Sequence, residues 1–153
     1  MLEAVPRSLF SNDYIIRSTN GASLVELRRN WFREKGQVTI EGVVYKVYRE
    51  GIVGAFILEA NGEVLARASK SSVWTRSFDI DYQGIRYILK SKSVSWREFV
   101  LRIGLEVVGS IRPKSAWSRK AVVDLPNLPL PIAMFMTWLV LILWQRDEAA
   151  ASA

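Results

Sequence analysis

From Ala22 to Leu125 the chain alternates apolar and polar residues with a period of two, and Gly or Asn-Gly interrupts the pattern about every ten residues. That is the mark of short antiparallel strands joined by hairpins. Val38 and Ile40 share one face of VTIEG, and Val43, Tyr45 and Val47 share one face of VVYKVYREG. Val64, Ala66 and Ala68 share one face of EVLARASK, opposite Glu63, Arg67 and Ser69. The inward series continues through Ile85, Tyr87 and Leu89, then Phe99, Leu101 and Ile103, then Leu105, Val107 and Ile111, with Arg86, Lys90, Glu98, Arg102 and Glu106 facing out. Asn61-Gly62, between GAFILEA and EVLARAS, predicts a two-residue type I′ turn, which needs positive φ at both positions. Counted from DYIIRS, about ten to twelve strands are predicted, too many for one flat sheet, so the sheet must close into a barrel or split into a sandwich.

After the strands comes PLPIAMFMTWLVLILWQRD, in which Pro131 suits a first helical position and Thr137 is the polar residue of the apolar run. A helix apolar on every side must be surrounded by lipid or by the interior of its own protein. As a transmembrane helix over residues 128–145, stopped by Arg146 and Asp147, it would make a tail-anchored protein with a cytoplasmic β domain. The Pro-free stretch Ile132 to Trp144, however, covers roughly 20 Å of a hydrocarbon core of about 30 Å. As an interior helix it would fill the lumen that about eleven or twelve strands leave open. The small residues Val64, Ala66, Ala68 and Gly109 on the inward faces favour this second placement. The predicted fold class is therefore mainly β, a closed antiparallel barrel of about twelve strands enclosing a hydrophobic C-terminal helix. Residues 1–21 form an N-terminal segment with room for a first strand, 22–147 the barrel domain with its central helix at 131–146, and 148–153 a disordered tail.

EGIVGAFILEANGEVLARASKSSVWTRSFDI, followed by REFVLRIGLEVVGSI and then by the apolar helix, resembles the tubby C-terminal-like superfamily, to which scramblase-like and LURP-one-related proteins belong. The resemblance spans about residues 22–147 and is carried by strand order, glycine spacing and the terminal helix. It implies a closed barrel of about twelve strands around a buried helix. The group includes phosphoinositide-binding, lipid-scrambling-associated and plant-defence proteins. No clear match to the phosphoinositide-binding residues of tubby, or to the calcium-binding and cysteine-rich segments of scramblases, is found, so no site residue is carried over.

The chain has neither Cys nor His, which excludes disulfides, thiolate chemistry, imidazole bases and the usual transition-metal ligands. Phosphate-cradling Gly-rich loops, nucleophile elbows and Walker-type lysines are also missing. Asp79 and Asp81 in FDIDY lie two apart on a strand, the minimum for a carboxylate pair or a hard-cation site, but Phe78 and Ile80 claim the buried face and leave both in solvent. No catalytic activity, cofactor or metal is expected. The first residues hold an early Glu and Pro and no long apolar run, which predicts a cytoplasmic protein.

A net charge of +6 favours anionic partners. The pattern Lys–Trp–Arg occurs as KSSVWTR from Lys70, KSVSWR from Lys92 and KSAWSR from Lys114, at a spacing of roughly twenty-two residues. Antiparallel strands return every second connection to the same end. One end therefore collects the tight turns at Gly42, Asn61-Gly62, Gln83-Gly84 and Gly104, and the other collects NWFREKG, REG and the three repeats. Trp31 joins this second rim, whose candidate residues for binding an anionic phospholipid or membrane surface are Arg33, Lys35, Lys70, Trp74, Arg76, Lys92, Trp96, Arg97, Lys114, Trp117 and Arg119. Trp favours the headgroup region, and each Lys or Arg near an anionic surface contributes about 1 kcal/mol. Alternatively the indoles fold inward and plug the mouth. Nucleic acid ranks below lipid as a partner, because no RNP-like aromatic strand pair and no recognition helix is present. The expectation is a non-catalytic binding module, peripheral at a membrane, with protein partners unspecified.

Overall fold

The computed structural model describes residues 1–7, 13–18, 23–30, 34–70, 76–92, 95–116 and 118–152, and of residues 23–25, 28–30, 95 and 96 the backbone alone. Twelve strands precede one helix. They are β1 (Leu2–Pro6), β2 (Tyr14–Ser18), β3 (Ser23–Asn30), β4 (Lys35–Ile40), β5 (Val43–Arg49), β6 (Phe56–Ala60), β7 (Glu63–Lys70), β8 (Ser77–Tyr82), β9 (Ile85–Lys92), β10 (Ser95–Ile103), β11 (Glu106–Pro113) and β12 (Ala121–Asp124), followed by α1 (Leu130–Ser152). Each strand pairs antiparallel with its neighbours in chain order, and β1 pairs with β12 to close the barrel. The barrel thus begins at Leu2, not at residue 22 as expected, because a five-residue strand is too short to show a clear period of two.

Closure is shaped by turn chemistry at one end. Glu41-Gly42, Asn61-Gly62 and Gln83-Gly84 have φ values of 50 and 80, 53 and 77, and 50 and 76, positive at both residues as type I′ hairpins require. All connect neighbouring strands at the end where α1 begins.

Ile132 to Trp144 of α1 are all buried and share one core with the inward residues of the wall, among them Ala66, Ala68, Phe78, Leu89, Phe99 and Ile111. A helix with no polar stripe is accommodated because the barrel surrounds it on every side. The lumen takes the helix that a membrane would otherwise have to take, and no helix among the described residues is long and apolar enough to cross one. The helix outlasts its expected end at Arg146 and continues to Ser152, so residues 148–152 are helical and not a disordered tail. Ala is the strongest helix former, and the Ser152 hydroxyl donates to the Glu148 carbonyl at 3.0 Å.

Two inward assignments fail, for one reason. Leu58 pairs with Ala66 but Glu59 with Val64, so Leu65 is an extra residue; Leu101 pairs with Gly109 but Arg102 with Val107, so Val108 is another. Each β-bulge reverses the facing of what lies beyond it, and Val64 and Val107 point outward, 46% and 56% exposed. Ile85, Ile103 and Leu105 are also exposed, because alternation fixes a face but not a depth, and these lie at strand ends and a turn tip. Gly109 has a specific cause: a Cβ there would lie 2.7 Å from the Asp124 carbonyl oxygen and 2.8 Å from Leu125 Cδ2.

Candidate functional site

At the end where α1 emerges, strand alternation delivers cations to the mouth of the lumen. Counting by two from the buried Val47, Ala68 and Phe78 gives Arg49, Lys70 and Arg76 as the last inward positions of their segments. Arg146, two residues beyond the fully buried part of α1, reaches the same place from the helix. Arg49, Lys70 and Arg146 line a pocket of about 400 Å³ with Val53, Gly54, Ala55, Phe56 and Ser69. Phe56 forms its floor, edge-on to Phe78 and Trp138 with ring centroids 5.6 Å away in each case. The guanidinium carbons of Arg49 and Arg146 stand 5.5 and 5.9 Å from the Phe56 centroid.

Two carboxylates hold this cluster together. Glu34 accepts from Arg146 Nε at 3.1 Å and, through its other oxygen, from Arg49 Nη1 at 3.3 Å, tying helix to wall. Asp147 accepts from Arg76 Nη1 at 2.8 Å. Among the described residues these four cations face Glu34 and Asp147. Among the described residues, Lys70 makes no ion pair and the buried Arg49 Nε has no hydrogen-bond partner. Burial, and then the Arg146, Arg76 and Arg49 guanidiniums, push the Lys70 ammonium below its ordinary 10.5, opposed in part by Asp147.

Of the residues expected at the rim, Lys70 and Arg76 come together here. Lys35 is exposed on the outward side of β4. Lys92 pairs with Glu98 at 3.0 Å and Lys114 with Glu3 at 3.0 Å. Arg97 caps the loop after β11, donating to the carbonyl of Ala116 at 2.8 Å and to that of Ser118, with its guanidinium 4.5 Å from the Trp144 ring centroid. Trp144 Nε1 donates to the Arg97 carbonyl at 3.0 Å, which pins the helix to β10. The Arg119 carbonyl accepts from the Tyr14 hydroxyl at 3.1 Å. Arg33, Trp31, Trp74 and Trp117, and the side chain of Trp96, lie outside the described residues. The Lys–Trp–Arg repeat drew attention away from Arg49, Arg146 and Glu34; extending the inward period of two from Val47 by one step finds Arg49.

On the outer wall, Asp81 accepts from Arg86 Nε and Nη2 at 2.9 and 3.0 Å, and that pairing lowers its pKa. Among the described residues no three metal-ligating side chains gather.

No family model matches this chain, and no curated protein matches it. A solved structure shares its fold. An Arabidopsis thaliana protein determined by X-ray superposes with a TM-score of 0.60 over 95% of this chain and 91% of that one, at 14% sequence identity. Likeness at that identity speaks to architecture alone.

Proposed function

We propose that this barrel is a non-catalytic binding module that holds a phosphate-bearing anionic headgroup, that of a phospholipid at a membrane surface, in the basic pocket of its mouth. The observation that carries the proposal is the convergence of Arg49, Lys70 and Arg146 on one pocket of about 400 Å³. Guanidiniums held beside Phe56 and by Glu34 are fixed in place before an anion arrives. The resemblance to the tubby C-terminal-like superfamily supports the same role, since that group includes phosphoinositide-binding members. No turnover is assigned: the charged groups lining the pocket are Arg49, Lys70 and Arg146, and both guanidiniums are tied to Glu34.

The test is calorimetric titration of water-soluble dihexanoyl phosphatidate. Lys70→Glu is expected to weaken binding at least about tenfold, or roughly 1.4 kcal/mol, whereas Lys46→Glu, on the exposed outer face of β5, leaves it unchanged. Binding should also weaken as pH rises through the lowered pKa of Lys70, because the neutral amine no longer attracts the anion. Failure of the wild-type protein to bind, or equal binding by Lys70→Glu, would sink the proposal.

A further inference from the structure

Between β5 and β6 the chain runs Glu50-Gly51-Ile52-Val53-Gly54-Ala55 at the same mouth. Its base is locked. The Glu50 N–H donates to the Ala55 carbonyl at 2.8 Å, and the Glu50 carboxylate receives two Arg67 nitrogens at 2.9 and 3.1 Å. Gly51 has φ +63, a conformation strained for a side chain, and a Cβ on Gly54 would fall 1.9 Å from the Glu50 carbonyl oxygen, so Gly54 cannot take a side chain without opening the loop. On this rigid coil Ile52 and Val53 stand at the tip, each 87% exposed.

Two neighbouring aliphatic side chains held in water by a glycine-locked turn are costly unless something covers them. Val53 and Gly54 also line the basic pocket, so the apolar tip is its lip. The nearest acid, Glu50, is neutralised by Arg67. Leu105, at the opposite end, is 97% exposed too, but it adjoins Glu106, which an anionic surface would repel. An apolar tip of two residues is far below the roughly 800 Å² per partner of a stable protein interface, yet it suits a bilayer, whose acyl layer begins just beneath the phosphates.

Resting on the headgroup-binding role proposed above, we infer that the Gly51–Gly54 tip is a membrane-inserting element: Ile52 and Val53 enter the acyl layer of an anionic bilayer while the adjoining pocket holds a lipid phosphate.

The chain contains no Cys, so Ile52→Cys gives a single labelling site for an environment-sensitive fluorophore. With vesicles of phosphatidylcholine and phosphatidylserine, the label should shift to the blue and be quenched by nitroxides on the acyl chains; vesicles of phosphatidylcholine alone should leave it in water. The Ile52→Ser variant, at a residue that does not line the pocket, should lose vesicle affinity by on the order of tenfold while keeping its affinity for dihexanoyl phosphatidate. Vesicle binding with the label still in water overturns insertion and leaves the headgroup pocket standing. Loss of phosphatidate binding in Ile52→Ser overturns it as well, reducing the tip to a pocket wall. Binding of phosphatidate but not of vesicles shows that the pocket serves a free anion. Binding of neither by the wild-type protein removes the headgroup role itself.

Discussion

Trp138 is 1% exposed at the centre of the lumen, edge-on to Phe56 and stacked on Phe135 with centroids 6.1 Å apart. Its ring is thus shared between the helix core and the pocket floor. Trp138→Ala is expected to cost about 3–5 kcal/mol of unfolding free energy in urea denaturation, whereas Ile52→Ala, exposed at a loop tip, should change it by less than about 0.5 kcal/mol. The same residues show how far sequence reaches at this scale. Ala66, Ala68, Tyr87, Leu89, Phe99 and Leu101 obey the period of two and are buried as expected. Val64 and Val107 do not, because a bulge adds a residue without altering composition and reverses every facing beyond it. Arg49 escaped notice for a different reason: an inward Arg becomes tolerable only when Glu34 and Phe56 are in place, and both come from other elements.

At the scale of elements, α1 divides into a buried part, Ile132 to Trp144, and an exposed end beyond Asp147. Stopping the chain after Asp147 should leave the thermal midpoint unchanged, since the ion pairs of Arg146 and Asp147 survive. Stopping it before Leu130 should abolish the cooperative transition in calorimetry, because the inward wall would face water. The strands, their tight turns and the apolar helix were legible, since periodicity and positive-φ dipeptides are local signals. The helix alone could not say whether lipid or protein surrounds it; that answer came from the number of strands, which sets the bore of the barrel. The basic end was legible through loop parity, but the pocket was not. Parity gives the end of the barrel, whereas the cluster depends on which terminal cations face inward: Lys70 and Arg76 do, while Lys92 and Lys114, one position past inward residues, pair with Glu98 and Glu3.

For the molecule as a whole, the seam at β1 is where closure is decided. Glu3, only 8% exposed, accepts from Arg17 on β2 at 3.1 Å and pairs with Lys114 beyond β11 at 3.0 Å, so one carboxylate bridges both sides. Its hydrogen bond to Lys114, and then that to Arg17, hold its pKa below the ordinary 4.5 against the opposing effect of burial. A carboxyl with a lowered folded-state pKa stabilises the fold above its unfolded value and ceases to do so as pH falls through the folded one. Glu3→Gln should therefore cost about 1–2 kcal/mol in urea denaturation at neutral pH, and the gap to wild type should narrow steadily as the pH is taken below 4.5. The filled lumen has one more consequence, in the order of assembly. Leu2 pairs with Val123, and the helix that fills the space between the walls follows every strand in chain order. A nascent chain leaving the ribosome must therefore carry an open, one-sided apolar sheet until its last element arrives, so hairpins can form during synthesis but the barrel can close only around the helix afterwards.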